Sequence, residues 1–385
     1  MYLVLLNLSA AFDTIDHTIL LERLQHEIGI EGLALRWVRS YLTDRYQSVT
    51  INGQSSTLIP LAYGVPQGSV LGPRFFTIYS APIAQICRQH NVIVHMYADD
   101  TQVYLAFDLS SIGDDQNTLL RVETCIVDIK LWMTKNKLKL NEDKTEFLVM
   151  SSPQQQHKIS TNSIQVCDIS VNAVPTARNL GAVFDSALSM ESHVISICQG
   201  AYCRLRNINS IRNSLTQEAT EILVHAFVSS RLDNANALLS GLPNRLIQKL
   251  QKVQNAAART VLHICKAEHI SPAIRRLHWL LPVKQKIQYK VLLLTWKALH
   301  DQAPIYVSNM LTSYMPTRQL RSGDQMLLNV PRTKLKTYGD RAFSVAAPKA
   351  WNSLPLEIRL LPEKETFKSK LKTYLFHCAF ESTSD

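Results

Sequence analysis

The 385-residue sequence predicts an α+β fold whose second half becomes mostly helical. Three observations carry that expectation. YLVLLNL at 2–8 is a continuous apolar run with the character of a strand buried on both faces. NVIVHMYADDTQVYLAF at 91–107 reads as strand, acidic turn and strand. After residue 200 the apolar residues recur at helical spacing. At 46% hydrophobic and 19% charged, the chain can bury a sizeable core and should divide into two or three domains.

After the first strand, SAAFDTIDHTILLERLQHEIG turns helical, with Ile19, Leu20, Leu24 and Ile28 spaced for one face. Asn7 then falls at the C-terminal end of a buried strand, where open sheets hold their ligands. YQSVTI alternates and meets Asn52-Gly53, a hairpin turn. A Gly/Pro-rich loop leads into a helix from about Val70 to Arg88. LLRVETCIVDIKLWMTKNKL is an amphipathic helix, LNEDKTEFLVM runs through a turn into a strand, and SSPQQQHK at 151–158 is a loop. LTQEATEILVHAFVSSRL and NRLIQKLQKVQNAAARTVLHIC are helical; in the second, Leu246, Leu250, Val253, Ala257, Val261 and Ile264 form the apolar stripe. Its cations Lys249, Lys252 and Arg259 either grip a duplex or form a solvated face.

The formal charge of +10 is uneven. Residues 1–150 carry 12 Lys/Arg against 16 Asp/Glu, and residues 151–385 carry 29 against 15. The basic half favours a polyanionic partner or serves as solubilising surface. Seven cysteines without a C-x-x-C pair point to reduced thiols in an intracellular compartment, nucleus or cytoplasm, and against secretion. Cys265 with His269, and His377 with Cys378, lack the second pair that tetrahedral zinc requires. The apolar start is too short for a bilayer and has no basic residue before it, so neither a membrane partner nor a signal peptide is expected.

Two stretches carry the chemistry. Tyr97-Ala98-Asp99-Asp100 places adjacent carboxylates on a tight turn, where their mutual repulsion invites a hard divalent cation. GVPQGSVLGPRFF at 64–76 has glycines at 64, 68 and 72 that permit close backbone approach to a ligand, Gln67 as a polar reader, and a helix N-terminus following. Taken singly, an Asp-Asp turn suits any tight turn and a Gly/Pro stretch is an ordinary connector.

Together and in this order, LNLSAAFD at 6–13, GVPQGSVLGP at 64–73 and YADD at 97–100 resemble the signatures of reverse transcriptases of non-LTR (LINE-type, jockey-like) retrotransposons. The resemblance continues through LNEDKTEFLVM at 140–150, NLGAVFDSALSMESHV at 179–194, RLHWLLPVKQKI at 276–287 and the segment 330–355, with one extra leucine in HWLLP.

The resemblance implies a right-hand polymerase: a palm at 1–198, a helical thumb-like region at 199–270 and a basic C-terminal domain at 271–385, with the fingers lying before residue 1. It implies an RNA template, a DNA primer, deoxynucleotide triphosphates, and Mg²⁺ or Mn²⁺ as cofactor. Asp99 and Asp100 match the metal-binding pair. Phe12 matches the aromatic that selects deoxyribose, and Pro66, Gln67 and Gly68 match the nucleotide- and template-contacting stretch. Lys144 matches the lysine near the triphosphate. Asn7 stands where the family has its first metal-binding aspartate. Asp13 and Asp16 are not obvious replacements for that charge, which implies impaired catalysis. The rival expectations are a non-catalytic nucleic-acid-binding remnant and a degraded product without function.

Overall fold

The computed structural model describes residues 1–66, 68–111, 113–277, 281–315 and 325–380. Gln67 and most of HWLLP lie outside the described residues. The chain divides into two compact units, Met1–Ser189 and Met190–Asp385.

The first unit is α+β. The opening apolar run forms β1 (Tyr2–Leu6), after which Leu8–Ser9 (β2) leaves to pair elsewhere. Then come α1 (His17–His26), α2 (Gly32–Leu42) and the short strands β3 (Tyr46–Gln47), β4 (Thr50–Ile51), β5 (Gln54–Ser55) and β6 (Ile59–Pro60). The β4–β5 turn is Asn52-Gly53, both at positive φ, as the dipeptide predicts. The helix expected over 70–88 is broken into α3 (Gly72–Ser80) and α4 (Pro82–Gln89), because Pro82 has no N–H to donate into the preceding turn.

The hairpin β7 (Ile93–Tyr97) and β8 (Asp100–Leu105), α5 (Asp114–Lys135), β9 (Lys139–Leu140) and β10 (Glu146–Val149) follow as the periodicity predicts. Two hairpins complete the unit: β11 (Ser163–Val166) with β12 (Ile169–Asn172), and β13 (Thr176–Asn179) with β14 (Ala182–Asp185). The main sheet has the order β10-β1-β8-β7, antiparallel throughout, so β1 is an inner strand. Tyr2, Val4 and Leu6 point into the large core with Phe76, Ile126 and Phe147. Leu3 and Leu5 face the opposite side, with Leu148 of β10 and with Ala177 and Phe184 of the β13–β14 hairpin. That two-sided burial is why the run shows no alternation.

Leu20 and Leu24 of α1 are fully buried as expected, but Ile28 lies past the helix end and is half exposed. The helix begins only at His17 because Asp16 caps it, its Oδ1 accepting from Thr18 N (2.9 Å) and Ile19 N (3.2 Å). The turn before it, 10–16, forms the seat for the Gly/Pro loop. Val65 N donates to the Phe12 carbonyl (2.9 Å), Gly64 N to that of Ile15 (2.8 Å), and the Gly64 carbonyl lies 2.7 Å from His17 Nε2. Gly64 sits at φ +86°, and a Cβ there would stand 3.0 Å from the Asp13 carbonyl oxygen.

The second unit is helical where described: α6 (Glu191–Ser210), α7 (Gln217–Val224), a π-turn at His225–Ser229, α8 (Ser230–Asp233), α9 (Asn244–Leu262), α10 (Ile270–Arg276), α11 (Val283–Leu299), α12 (Ile305–Ser308), α13 (Lys336–Gly339), α14 (Phe343–Asn352), α15 (Leu356–Arg359) and α16 (Lys364–Phe380). The predicted stripe of α9 is buried from Leu246 through Val261, while Ile264 falls beyond its end. Trp296, Trp351, Phe367 and Leu371 centre a further core. Among the described residues, no helix is long and apolar enough to cross a membrane.

Two substitutions test this account. Phe147→Ala removes a fully buried ring from the main core and should cost about 3–5 kcal/mol in urea unfolding of the full chain. Gly64→Ala places a Cβ against Asp13 backbone at an unfavourable φ, and should cost about 1–2 kcal/mol, more than the same change at open Gly53.

Candidate active site

The register of β1 decides what meets at the end of the sheet. Leu6 pairs with Thr101 and Tyr97 with Asp100, so Asn7, the next residue along, stands beside Asp100. By strand alternation Asn7 shares the Leu3–Leu5 face, and Asp100 shares that of Gln102, the partner of Leu5. Asn7 and Asp100 thus share one end of one sheet face, with the turn residue Asp99 next in sequence, each partly buried. The turn is tight enough to hold Ala98 at φ +51°, a left-handed conformation that costs a non-glycine residue about 1 kcal/mol. The flanking ladder holds it there.

The electrostatics follow from this crowding. Burial, and then the neighbouring Asp99 charge, push the Asp100 carboxyl above its ordinary value. Among the described residues no three His, Cys, Asp or Glu side chains come together as a metal-holding group. Two carboxylates and one amide oxygen are what this strand end offers. Asp16 is committed to capping α1, and Asp13 lies on the exposed turn under Gly64.

Asn7 is also a junction of the backbone. Its carbonyl accepts from Asn141 N (2.8 Å), and Asn141 caps the single turn Glu142–Lys144 through its side-chain oxygen. The same Asn141 carbonyl takes the Thr145 hydroxyl at 3.0 Å. Lys144 is therefore tied to the Asn7 strand end through one residue, with an exposed side chain that makes no ion pair among the described residues. Lys130, by contrast, is engaged by Glu142 (2.9 Å) and Asp168 (3.0 Å), which push its ammonium pKa up.

Phe12 packs on Phe76 at 5.1 Å between ring centres and remains partly exposed. The loop docked on its carbonyl carries Pro66, partly buried, and Gly68, exposed at φ +77° with nothing near a would-be Cβ. Of the three loop glycines, only Gly68 is open to an approaching ligand. Gly64 is used against Asp13, and Gly72 against Ser69 Oγ (3.0 Å) and the Pro66 carbonyl (3.3 Å).

Two positions to which the sequence reading assigns no role adjoin the same strand end. Gln102 donates to Asn179 Oδ1 (2.9 Å), fastening the β13–β14 hairpin beside Asp100. Asn141 is the other. Gln102 had a readable signal, its even spacing from Asp100; Asn141 had its place in LNEDKTEFLVM, just before an acidic turn.

The second unit carries a basic groove of about 960 Å³ between α6 and α9, lined by Tyr202, Arg206, Asn209, Lys252, Arg259 and Lys266 among others, with no carboxylate in its lining. The three cations of α9 separate here. Lys249 pairs with Glu191 (3.2 Å), Arg259 donates to the Glu268 carbonyl (3.2 Å), and Lys252 is exposed without an ion pair among the described residues.

Comparison with known proteins places these features. Residues 1–182 match the family model for reverse transcriptase (RNA-dependent DNA polymerase). The RNA-directed DNA polymerase from mobile element jockey of Drosophila melanogaster is 33% identical over 104 residues, covering 26% of this chain and 11% of that protein. The Drosophila funebris counterpart is 25% identical over 236 residues, covering 55% and 23%. The probable RNA-directed DNA polymerase from transposon BS of Drosophila melanogaster is 23% identical over 219 residues, covering 54% and 23%. Among solved structures, telomerase from Candida albicans in complex with a fragment of telomeric RNA aligns with a TM-score of 0.34 and 14% identity, over 75% of this chain and 47% of that one. The matched stretch thus spans less than a quarter of these curated relatives' own length. Residues 1–182 are a reverse transcriptase domain by the family model they match, similar in sequence to the RNA-directed DNA polymerases of jockey mobile elements.

Proposed function

We propose that the first unit is the palm of an RNA-directed DNA polymerase acting on an RNA template, a DNA primer and deoxynucleotide triphosphates, with catalysis weakened at Asn7. The observation that carries this reading is the register that brings Asn7, Asp99 and Asp100 to one strand end. Reverse transcriptases work with divalent metal ions. Two adjacent carboxylates, one of them with its pKa raised by burial and its neighbour, suit such an ion, here Mg²⁺ or Mn²⁺. Asp99, Asp100 and the Asn7 amide oxygen would hold it. When bound, it would lower the pKa of a primer hydroxyl and offset charge on the triphosphate.

The remaining roles belong to side chains of this chain. Phe12 restricts the space at the sugar and so selects deoxyribose. Pro66, Gln67 and Gly68 orient the incoming base and template, Gly68 by letting a ligand approach its backbone. Lys144, on a turn tied to Asn7, meets triphosphate oxygens. Asn7 leaves the metal-holding end one negative charge short. At about 4 Å and an effective dielectric near 20 such a contact is worth roughly 4 kcal/mol, or about a thousandfold in rate if it acts fully in the transition state.

A second reading, nucleic-acid binding without catalysis, is favoured by the carboxylate-free groove on α6 and α9. Only the first reading needs the strand end.

Primer extension on an RNA template with Mg²⁺ or Mn²⁺ tests the first. The unchanged chain should extend weakly, Asn7→Asp should raise the rate up to about a thousandfold, and Asp99→Asn in that background should abolish it. Robust extension by the unchanged chain overturns the claim of impairment. For the second reading, RNA affinity should fall with salt, and Arg206→Ala with Lys252→Ala should reduce the log–log slope by about 1.5. A flat salt response excludes phosphate contacts.

A further inference from the structure

We propose that a cavity of about 290 Å³ in the second unit, lined by Asp233, Asn236, Lys286, Tyr289, Lys290 and Lys372, binds a single phosphate group. It is built from α8, the turn that follows, α11 and α16, and is separate from the basic groove on α6 and α9. Lys286, Tyr289 and Lys290 stand at i, i+3 and i+4 on α11, and so share one helix face. The opposing wall includes His225, where the chain leaves α7 for a π-turn, a bulge that commonly reshapes a helix at a binding site.

The charge balance of the cavity is the first argument. The Lys286 ammonium, on a side chain only 13% exposed, reaches both Asp233 oxygens at 3.1 Å, so this inner lysine is compensated. Lys290 and Lys372, exposed at the mouth, form no ion pair among the described residues. Two positive charges thus remain over a site with one carboxylate in its lining. His225 registers the convergence: burial holds its imidazole below the ordinary value, Lys286 and Lys372 push the same way, and Glu221 and Asp233 oppose them.

Asn236 is the second, independent argument. It is 4% exposed and lines the cavity, yet its Oδ1 is buried without a hydrogen-bond partner. A buried acceptor left unpaired costs about 1–3 kcal/mol and calls for a donor. A singly protonated phosphate supplies both needs: anionic oxygens for Lys290 and Lys372, and a P–OH for Asn236. Sulfate, fully ionised at neutral pH, meets only the first. The volume exceeds that of one phosphate, so the group could arrive free or as the phosphate of a nucleotide.

Isothermal titration and thermal melting of the full chain, at fixed ionic strength, test this with orthophosphate, adenosine 5′-monophosphate and sulfate as probes. Orthophosphate should bind saturably and raise the melting temperature, with sulfate at least tenfold weaker. Lys290→Gln with Lys372→Gln, two exposed positions whose change leaves the core intact, should weaken phosphate at least tenfold. Tighter binding of the nucleotide than of orthophosphate assigns the group to a nucleotide; equal binding assigns it to the free anion. Absence of saturation by either phosphate probe, equal affinity in the double variant, or sulfate binding as tightly as phosphate overturns the proposal.

Discussion

Everything that meets at the candidate active site depends on the pairing of one inner strand, β1, between β8 and β10. Five residues lie in it, and Tyr2, Leu3, Val4 and Leu6 are buried to 6% exposure or less. At about 1.5–3 kcal/mol for each large apolar side chain, burial on both faces makes any other register costly. A slip of one residue would exchange the two faces of the strand and send Asn7 away from Asp100. The apolar residues of the run therefore do the positioning, and the polar one at its end receives its place from them.

Unfavourable local features gather at the same strand end. Ala98 holds a left-handed conformation, Asp100 is partly desolvated beside another carboxylate, and Asn7 occupies an edge where the neighbouring residue turns away to a different strand partner. Each is disfavoured on its own, and each is held by the ladder or the core behind it. Residues with ordinary structural duties surround them: Asp16 caps a helix, Gly64 and Gly72 let two pieces of backbone touch, and Lys130 joins two acidic groups.

Much of the fold was legible because local chemistry and tertiary need agree in it. Asn52-Gly53 is read as a turn since both residues must take positive φ. The α5 and α9 stripes are read because one face of each helix is buried. Where the two disagree, the reading fails for identifiable reasons. Ile28 continued an apolar spacing past the point where the helix ends, and Pro82 interrupted a helix that composition alone would run through. The three loop glycines read alike in sequence, yet only Gly68 is free, since the uses of Gly64 and Gly72 depend on residues brought in from elsewhere in the chain.

By itself the sequence determined the order of strands and helices, the family match of residues 1–182 and the amide at the end of the first strand, because motif, spacing and apolar period are properties of short stretches. Tertiary structure alone decided that Asn7 stands beside Asp100, that Asn141 joins this end to Lys144, and which cations are already engaged. Those facts rest on hydrogen bonds and packing between residues far apart in the chain. No local pattern encodes such distances; only the closing of the sheet and the filling of the core bring them about.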